Sequence, residues 1–151
     1  MFESIDKGII HFLKKIALPV ARLGLFIIFF WFGFLKVIGL SPATELVREL
    51  YTRIVPFGMF AAFYILFAAF ECFIGLLFLV KGAERIVIPF LLLHMFTTFL
   101  PLFLLPGITW QSFLVPTLEG QYIIKNLAII ALALGIGAHL YPMRRPQAEV
   151  N

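Results

Sequence analysis

Seven side chains of this sequence could do chemistry in a place where chemistry is expensive, inside or beside long apolar runs: Arg22, Lys36, Glu71, His94, Glu119, Lys125 and Asn126. Arg22 and Lys36 share one run. Their spacing corresponds on a helix to about 21 Å along the axis and about 40° around it. A hydrocarbon core is about 30 Å thick, so each cation can reach toward an interface while both line one interior seam, with Phe29 and Gly33 on the same side. Glu71 lies between Met59 and Lys81, near the middle of its own run. A carboxylate at that depth must pair or be protonated. Tyr64, Ala68 and Gly75 share its face, and small neighbours let a second helix come close. His94 is also deep, with Thr97 and Thr98 a turn beyond it. Glu119, Lys125 and Asn126 gather near the start of the last run.

Depth predicts the partners. Arg22 is expected to meet Glu71, with His94 nearby, and Glu119 is the anion available to Lys36 and Lys125. Lys36 with Glu71 requires offset helices or a hydrated site. Bland readings stand beside these. Arg22 and Lys36 can snorkel to the two interfaces, and Lys125 reads as snorkelling or structural rather than catalytic. Glu71 can serve a structural pair that fixes helix register, and His94 can be a hydrogen-bonded core residue. Cys72 fits a small apolar filler.

Several chemistries are excluded. There is no histidine pair one helical turn apart, no Walker loop, no GxGxxG and no CxxC. The only aspartate, Asp6, lies in the first segment, so no Ser–His–Asp triad can form. A single cysteine makes neither an internal disulfide nor a thiolate metal site. His11, His94 and His139 fall at different depths, which argues against a bis-histidine haem. No metal is expected and no intrinsic cofactor, and catalysis by the chain alone is not expected either.

The elements that position these residues follow from composition. The 151 residues are 62% hydrophobic and 13% charged, with 19 Phe, and the mean hydropathy is +1.05. A soluble domain carries roughly 25% charged residues, so lipid is the solvent for most of this chain. The net charge of +4 comes without a basic, aromatic-interleaved stripe. It therefore points to anionic lipid rather than nucleic acid. Four segments have the length and apolarity of spans, at about 16–38, 59–80, 86–105 and 122–140. None alternates with period two, and lipid cannot satisfy open backbone, so all four are helices. The fold class is thus all-α: an integral membrane four-helix bundle.

Two shorter pieces look interfacial. Residues 1–15 place Ile5, Ile9, Phe12 and Leu13 at helical spacing between lysines, as in an amphipathic helix lying on the membrane. "SPATELVRELYTRIVP" reads as a short helix in the first outer loop, with Ser41 as N-cap and Pro42 at the first helical position. Residues 141–151 are a cytoplasmic tail. The apolar run that follows the first lysines is too long for a cleavable signal peptide. Lysine and arginine concentrate before the first span, in "KGAER" and in the tail, which places both termini in the cytoplasm. Trp110 and Phe113 of the third connection should dip into the outer interface.

The motifs "RLGLFIIFFWFGFLKVIGLSP", "AAFECFIGLLFLV" and "EGQYIIKNLAIIALAL" resemble the DoxX-like superfamily of small four-helix membrane proteins. The last also resembles a bacterial branch that includes a membrane protein of reactive-chlorine resistance. The pattern is an Arg opening the first span (Arg22), G-x-x-K near its end (Gly33 and Lys36), E-x-x-x-G in the second (Glu71 and Gly75), and K-[ND]-L opening the fourth (Lys125, Asn126 and Leu127). It covers about residues 16–140. The resemblance implies a bacterial inner-membrane protein acting as an accessory or quinone-linked subunit in redox or oxidative-stress physiology. A quinone ring is then the ligand to expect, with Lys36 and Lys125 donating to its oxygens and Glu71 and His94 accepting or relaying protons. It also admits a membrane or peripheral redox partner protein, and a homo-oligomer remains open. Two other functions stay open: a non-catalytic assembly factor or chaperone-like partner, packing through small residues such as Ala61, Ala62, Ala68, Ala69 and Gly75, and a proton-coupled transporter or channel. The latter is disfavoured by short spans without an inverted repeat.

Overall fold

In the computed structural model, residues 2–140 are described; the expected tail at 141–151 lies outside them. The first helix, α1, runs Phe2–Val37 without a break through Pro19. The expected interfacial segment and the first span are thus one continuous rod. Proline lacks the N–H that would bond back to Lys15, yet the helix continues beyond it. The buried stripe of α1 is Leu25, Phe29, Gly33 and Lys36, spaced three or four residues apart, with Arg22 one turn before it. The end of α1 is set by Gly39, which takes φ +73°. Gly39 N–H donates to Lys36 O and Leu40 N–H to Leu35 O, at 3.2 and 2.8 Å, the paired closure that a left-handed residue allows.

Next comes α2, Thr44–Ile54. It starts later than the Ser41 cap predicted. Ser41 instead holds the preceding turn, where its carbonyl accepts from Thr44 Oγ1 at 2.7 Å. The chain then forms α3 (Phe60–Leu77) and α4 (Glu84–Phe99). Short α5 (Pro101–Leu104) and α6 (Pro106–Thr109) follow, each opened by proline.

A small antiparallel hairpin joins β1 (Trp110–Ser112) to β2 (Val115–Pro116). The sequence did not announce it. Its tip exposes Phe113 and Leu114 at 90% and 72%, apolar groups that suit a membrane interface. Trp110 Nε1 anchors its base by donating to Leu102 O at 2.9 Å. The last span is α7 (Leu118–Lys125) and α8 (Leu127–Gly137), interrupted at Asn126.

Among the described residues, four helical stretches are long and apolar enough to cross a membrane: Ile5–Val37, Phe60–Leu77, Glu84–Leu104 and Leu118–Gly137. α1 lies against α3, α4 against α8, and α3 and α4 also meet. The core at their junction is Leu25, Phe29, Ile74, Phe78, Val87, Leu91, Met95, Ala133 and Ile136. Large apolar side chains such as Trp31, Phe96 and Leu66 face outward, the pattern of helices whose outer surface meets lipid.

Candidate functional site, a buried charge cluster

The contact between α1 and α3 depends on two glycines. A Cβ on Gly33 would stand 2.9 Å from Ala68 O and from Cys72 N, and one on Gly75 would stand 2.7 Å from Phe30 N. Backbone meets backbone here, as in close-packed membrane helices. The two contacts also fix an antiparallel register: Gly33 meets Cys72 while Phe30 meets Gly75. Glu71 then faces the end of α1 that carries Lys36.

Lys36 Nζ donates to Glu71 Oε2 at 2.5 Å. His94, brought in by α4, places Nε2 at 3.2 Å from Glu71 Oε1. Both carboxylate oxygens are therefore engaged, one by each neighbour. All three residues are buried. Such a pair survives burial only because the geometry is close and further hydrogen bonds satisfy the charges.

Aromatic rings surround the imidazole. Phe67 lies 5.0 Å from its centroid, Phe29 5.5 Å in an edge-to-face arrangement, and Phe70 6.3 Å. The Lys36 ammonium also lies 5.8 Å from the Phe67 centroid, within range of a cation–π attraction. The Thr97 and Thr98 hydroxyls both donate to the His94 carbonyl, at 2.7 and 3.0 Å. They fix the backbone of α4 and leave the ring alone. His94 Nδ1 is buried and, among the described residues, is the one buried side-chain nitrogen or oxygen without a hydrogen-bond partner.

Arg22 goes elsewhere, which corrects the expected pairing with Glu71. Its Nη1 meets Glu84 Oε1 in the first turn of α4. Its Nε and Nη2 donate to Phe78 O and Val80 O, at 2.9 and 2.7 Å. One guanidinium therefore binds two carbonyls at the end of α3 and just after it, and the acid that starts α4. Helix ends leave such carbonyls unpaired, and a planar fork of donors fits them. The reason for the mismatch is register: Arg22 lies level with the α3–α4 connection, where Glu84 is the acid at hand. Arg22→Ala is expected to lower stability by about 2 kcal/mol, because Phe78 O and the Glu84 carboxylate lose their donor while Val80 O keeps only the Ala83 N–H. Thermal unfolding in mild detergent, with Arg22→Lys as an intermediate case, reads this out.

The outer-end expectation fails in the same way. Lys125 is exposed and lies over the Tyr122 ring, 5.3 Å from its centroid. Glu119 is exposed in the first turn of α7. Neither reaches Lys36 in an ion pair among the described residues, nor do they pair with each other. Asn126 is half-buried at the α7–α8 break and takes no part in the cluster. Lys125→Ala is expected to change stability by less than about 0.5 kcal/mol, measured by the same melt.

The structure thus gathers Lys36, Glu71 and His94, and separates Arg22, Glu119, Lys125 and Asn126 from them. Glu84 is the residue that sequence reasoning missed; its place in "KGAER", beside the end of the Glu71 helix, was the available signal. No three His, Cys, Asp or Glu side chains are grouped to hold a metal among the described residues. Chemically the cluster sets a carboxylate between an ammonium and an imidazole, and it leaves the buried His94 Nδ1 without a partner. No family model, curated protein or solved structure matches this chain.

Proposed function

We propose that this chain is a DoxX-like multi-pass protein of the bacterial inner membrane, an accessory or quinone-linked subunit in redox or oxidative-stress physiology, with both termini cytoplasmic. The observation that supports it is the Lys36–Glu71–His94 cluster, three titratable groups joined by hydrogen bonds among lipid-facing helices. Intramembrane ionisable groups are costly, and they mark ligand or proton sites by default. The motif order from Arg22 to Leu127 supports the family, and the distribution of lysine and arginine supports the orientation. In this reading the quinone head group binds beside His94, and Glu71 holds the imidazole through Nε2. Lys36 serves as counter-charge to Glu71 and not as a direct donor to the ligand, since its ammonium already donates to that carboxylate.

Native mass spectrometry of protein released from its own membranes in mild detergent tests this. The expected result is a stoichiometric adduct of quinone size that Glu71→Gln and His94→Gln lose. Absence of any such adduct from the parent protein would sink the reading.

A second reading, a non-catalytic assembly factor, is favoured by Ala61, Ala62 and Ala69, which are exposed on α3 and would let a partner helix approach. It predicts a retained protein partner and no small adduct in the same spectrum.

A further inference from the structure

A cleft of about 490 Å³ lies between α2 and the α5–α6 corner. It is at the end of the bundle opposite the N-terminus of α1, and α2 is fixed there. The Thr44 and Tyr64 hydroxyls share a hydrogen bond at 2.7 Å. The Tyr51 ring packs on Phe63 and Phe60, with centroids 4.7 and 5.6 Å away. The four charged residues of α2 are used unequally. Arg48 Nε lies 3.6 Å from Glu45 Oε2, and its guanidinium stacks over the Phe60 ring, 4.4 Å from the centroid. Glu49 and Arg53 have the order and spacing of an attractive i, i+4 pair. Yet neither forms an ion pair among the described residues, with the other or with any neighbour. Both line the cleft instead. Thr52 lines it too, but its hydroxyl already donates to the Arg48 and Glu49 carbonyls, both at 3.1 Å. The facing wall is the run from Leu104 to Ile108. Leu104 ends the third membrane-crossing stretch, so this wall stands where hydrocarbon gives way to head groups.

We infer that the cleft binds the head group of a zwitterionic phospholipid, a phosphoethanolamine, with its phosphate on Arg53 and its ammonium on Glu49. Four residues of helix separate the two side chains by about 6 Å along the axis, and a phosphate and an ammonium joined by two carbons span a gap of that order. The planar guanidinium matches phosphate oxygens, and a primary ammonium has hydrogens to give a carboxylate. A phosphate without the ammonium meets Arg53 but is repelled by Glu49. The apolar wall receives the glycerol end of the lipid. This site shares no residue with the Lys36 cluster and does not depend on the function proposed for it.

The test uses full-length protein, stripped of lipid in mild detergent and offered equal amounts of dioleoyl phosphatidylethanolamine and dioleoyl phosphatidylglycerol. Native mass spectrometry counts the lipid retained. The ethanolamine lipid should be held about threefold more than the glycerol lipid, a ratio within reach of one exposed ion pair. Glu49→Gln should bring the two lipids level, and Arg53→Gln should reduce retention of both. Glu119→Gln, which removes an exposed acid outside the cleft, should leave the preference as it is. All these positions are exposed, and melting with the parent confirms that the variants fold.

Equal retention of the two lipids by the parent protein would overturn the inference. So would a preference that survives Glu49→Gln, or one that Glu119→Gln removes equally well. Soluble glycerophosphoethanolamine, at the concentration of the lipid, should not displace it. Displacement would overturn the assignment to a membrane lipid in favour of a free zwitterion.

Discussion

Glu71→Ala is expected to remove about 3–5 kcal/mol of stability, the magnitude seen when one partner of a buried ion pair is deleted. The substitution leaves Lys36 as an unpaired ammonium between α1 and α3, and deprives His94 Nε2 of its acceptor. Neither group can turn to water, since both are buried. Much of the loss is therefore the stranded charge rather than the missing contact. Removing both charges distinguishes the two: Lys36→Met with Glu71→Leu should recover most of the stability lost in Glu71→Ala, because an apolar pair of similar volume strands no charge and leaves only His94 Nε2 without its acceptor. Thermal unfolding in one detergent, followed by helical circular dichroism, measures all three proteins. A Glu71→Ala melt within about 1 kcal/mol of the parent would mean that Lys36 finds water, and that the cluster is hydrated rather than closed.

How far the sequence carried the reading depends on what sets each feature. The spans were legible because lipid imposes length and apolarity on each helix separately. Their ends were less so. The expected third span, 86–105, is α4 followed by α5, because Pro101 starts a new helix after Phe99. The fourth begins before 122, because Thr117 caps α7 by accepting from Gly120 N–H at 3.1 Å. The seam on α1 was legible too, since Arg22, Phe29, Gly33 and Lys36 share a side by spacing alone. Which acid each cation meets was not, because that depends on how far α3 slides along α1. The intervening α2 hides this offset, and depth counted from span ends is too coarse to supply it. The glycines supply it. Gly33 and Gly75 each admit opposing backbone at one height only, and that height sets Lys36 against Glu71 and Arg22 against Glu84.

The two charged clusters hold α1 in different ways, and only one leaves chemistry over. Arg22 uses all its contacts on helix-end carbonyls and Glu84, at the end of the bundle where α3 turns into α4. It is a clasp. The Lys36 cluster lies inside, and its third member keeps a nitrogen unpaired. A structural pair alone would not require an imidazole with an unpaired nitrogen, since Lys36 already balances the charge of Glu71. The contrast, more than burial itself, separates a site from a brace.

Gly75→Val should show that helix approach and the charge cluster are one device. Even the first added carbon would stand 2.7 Å from Phe30 N and 3.1 Å from Phe26 O. Backbone on the facing helix cannot rotate away as a side chain can, so α1 and α3 must separate. Overpacking of this kind costs about 1–3 kcal/mol, and the branched side chain places the effect at the upper end. Glu71 lies one helical turn from Gly75, so the same displacement lengthens the Lys36–Glu71 contact. The variant should therefore lose both thermal stability and any ligand bound at His94. Gly24→Ala is the control on the same α1 helix: a Cβ there meets nothing within 4 Å. It should be neutral or more stable by about 0.5–1 kcal/mol, since alanine favours a helix interior over glycine. A Gly75→Val protein that melts with the parent would show that the α1–α3 contact is looser than backbone against backbone. The register that pairs Lys36 with Glu71 would then need another cause.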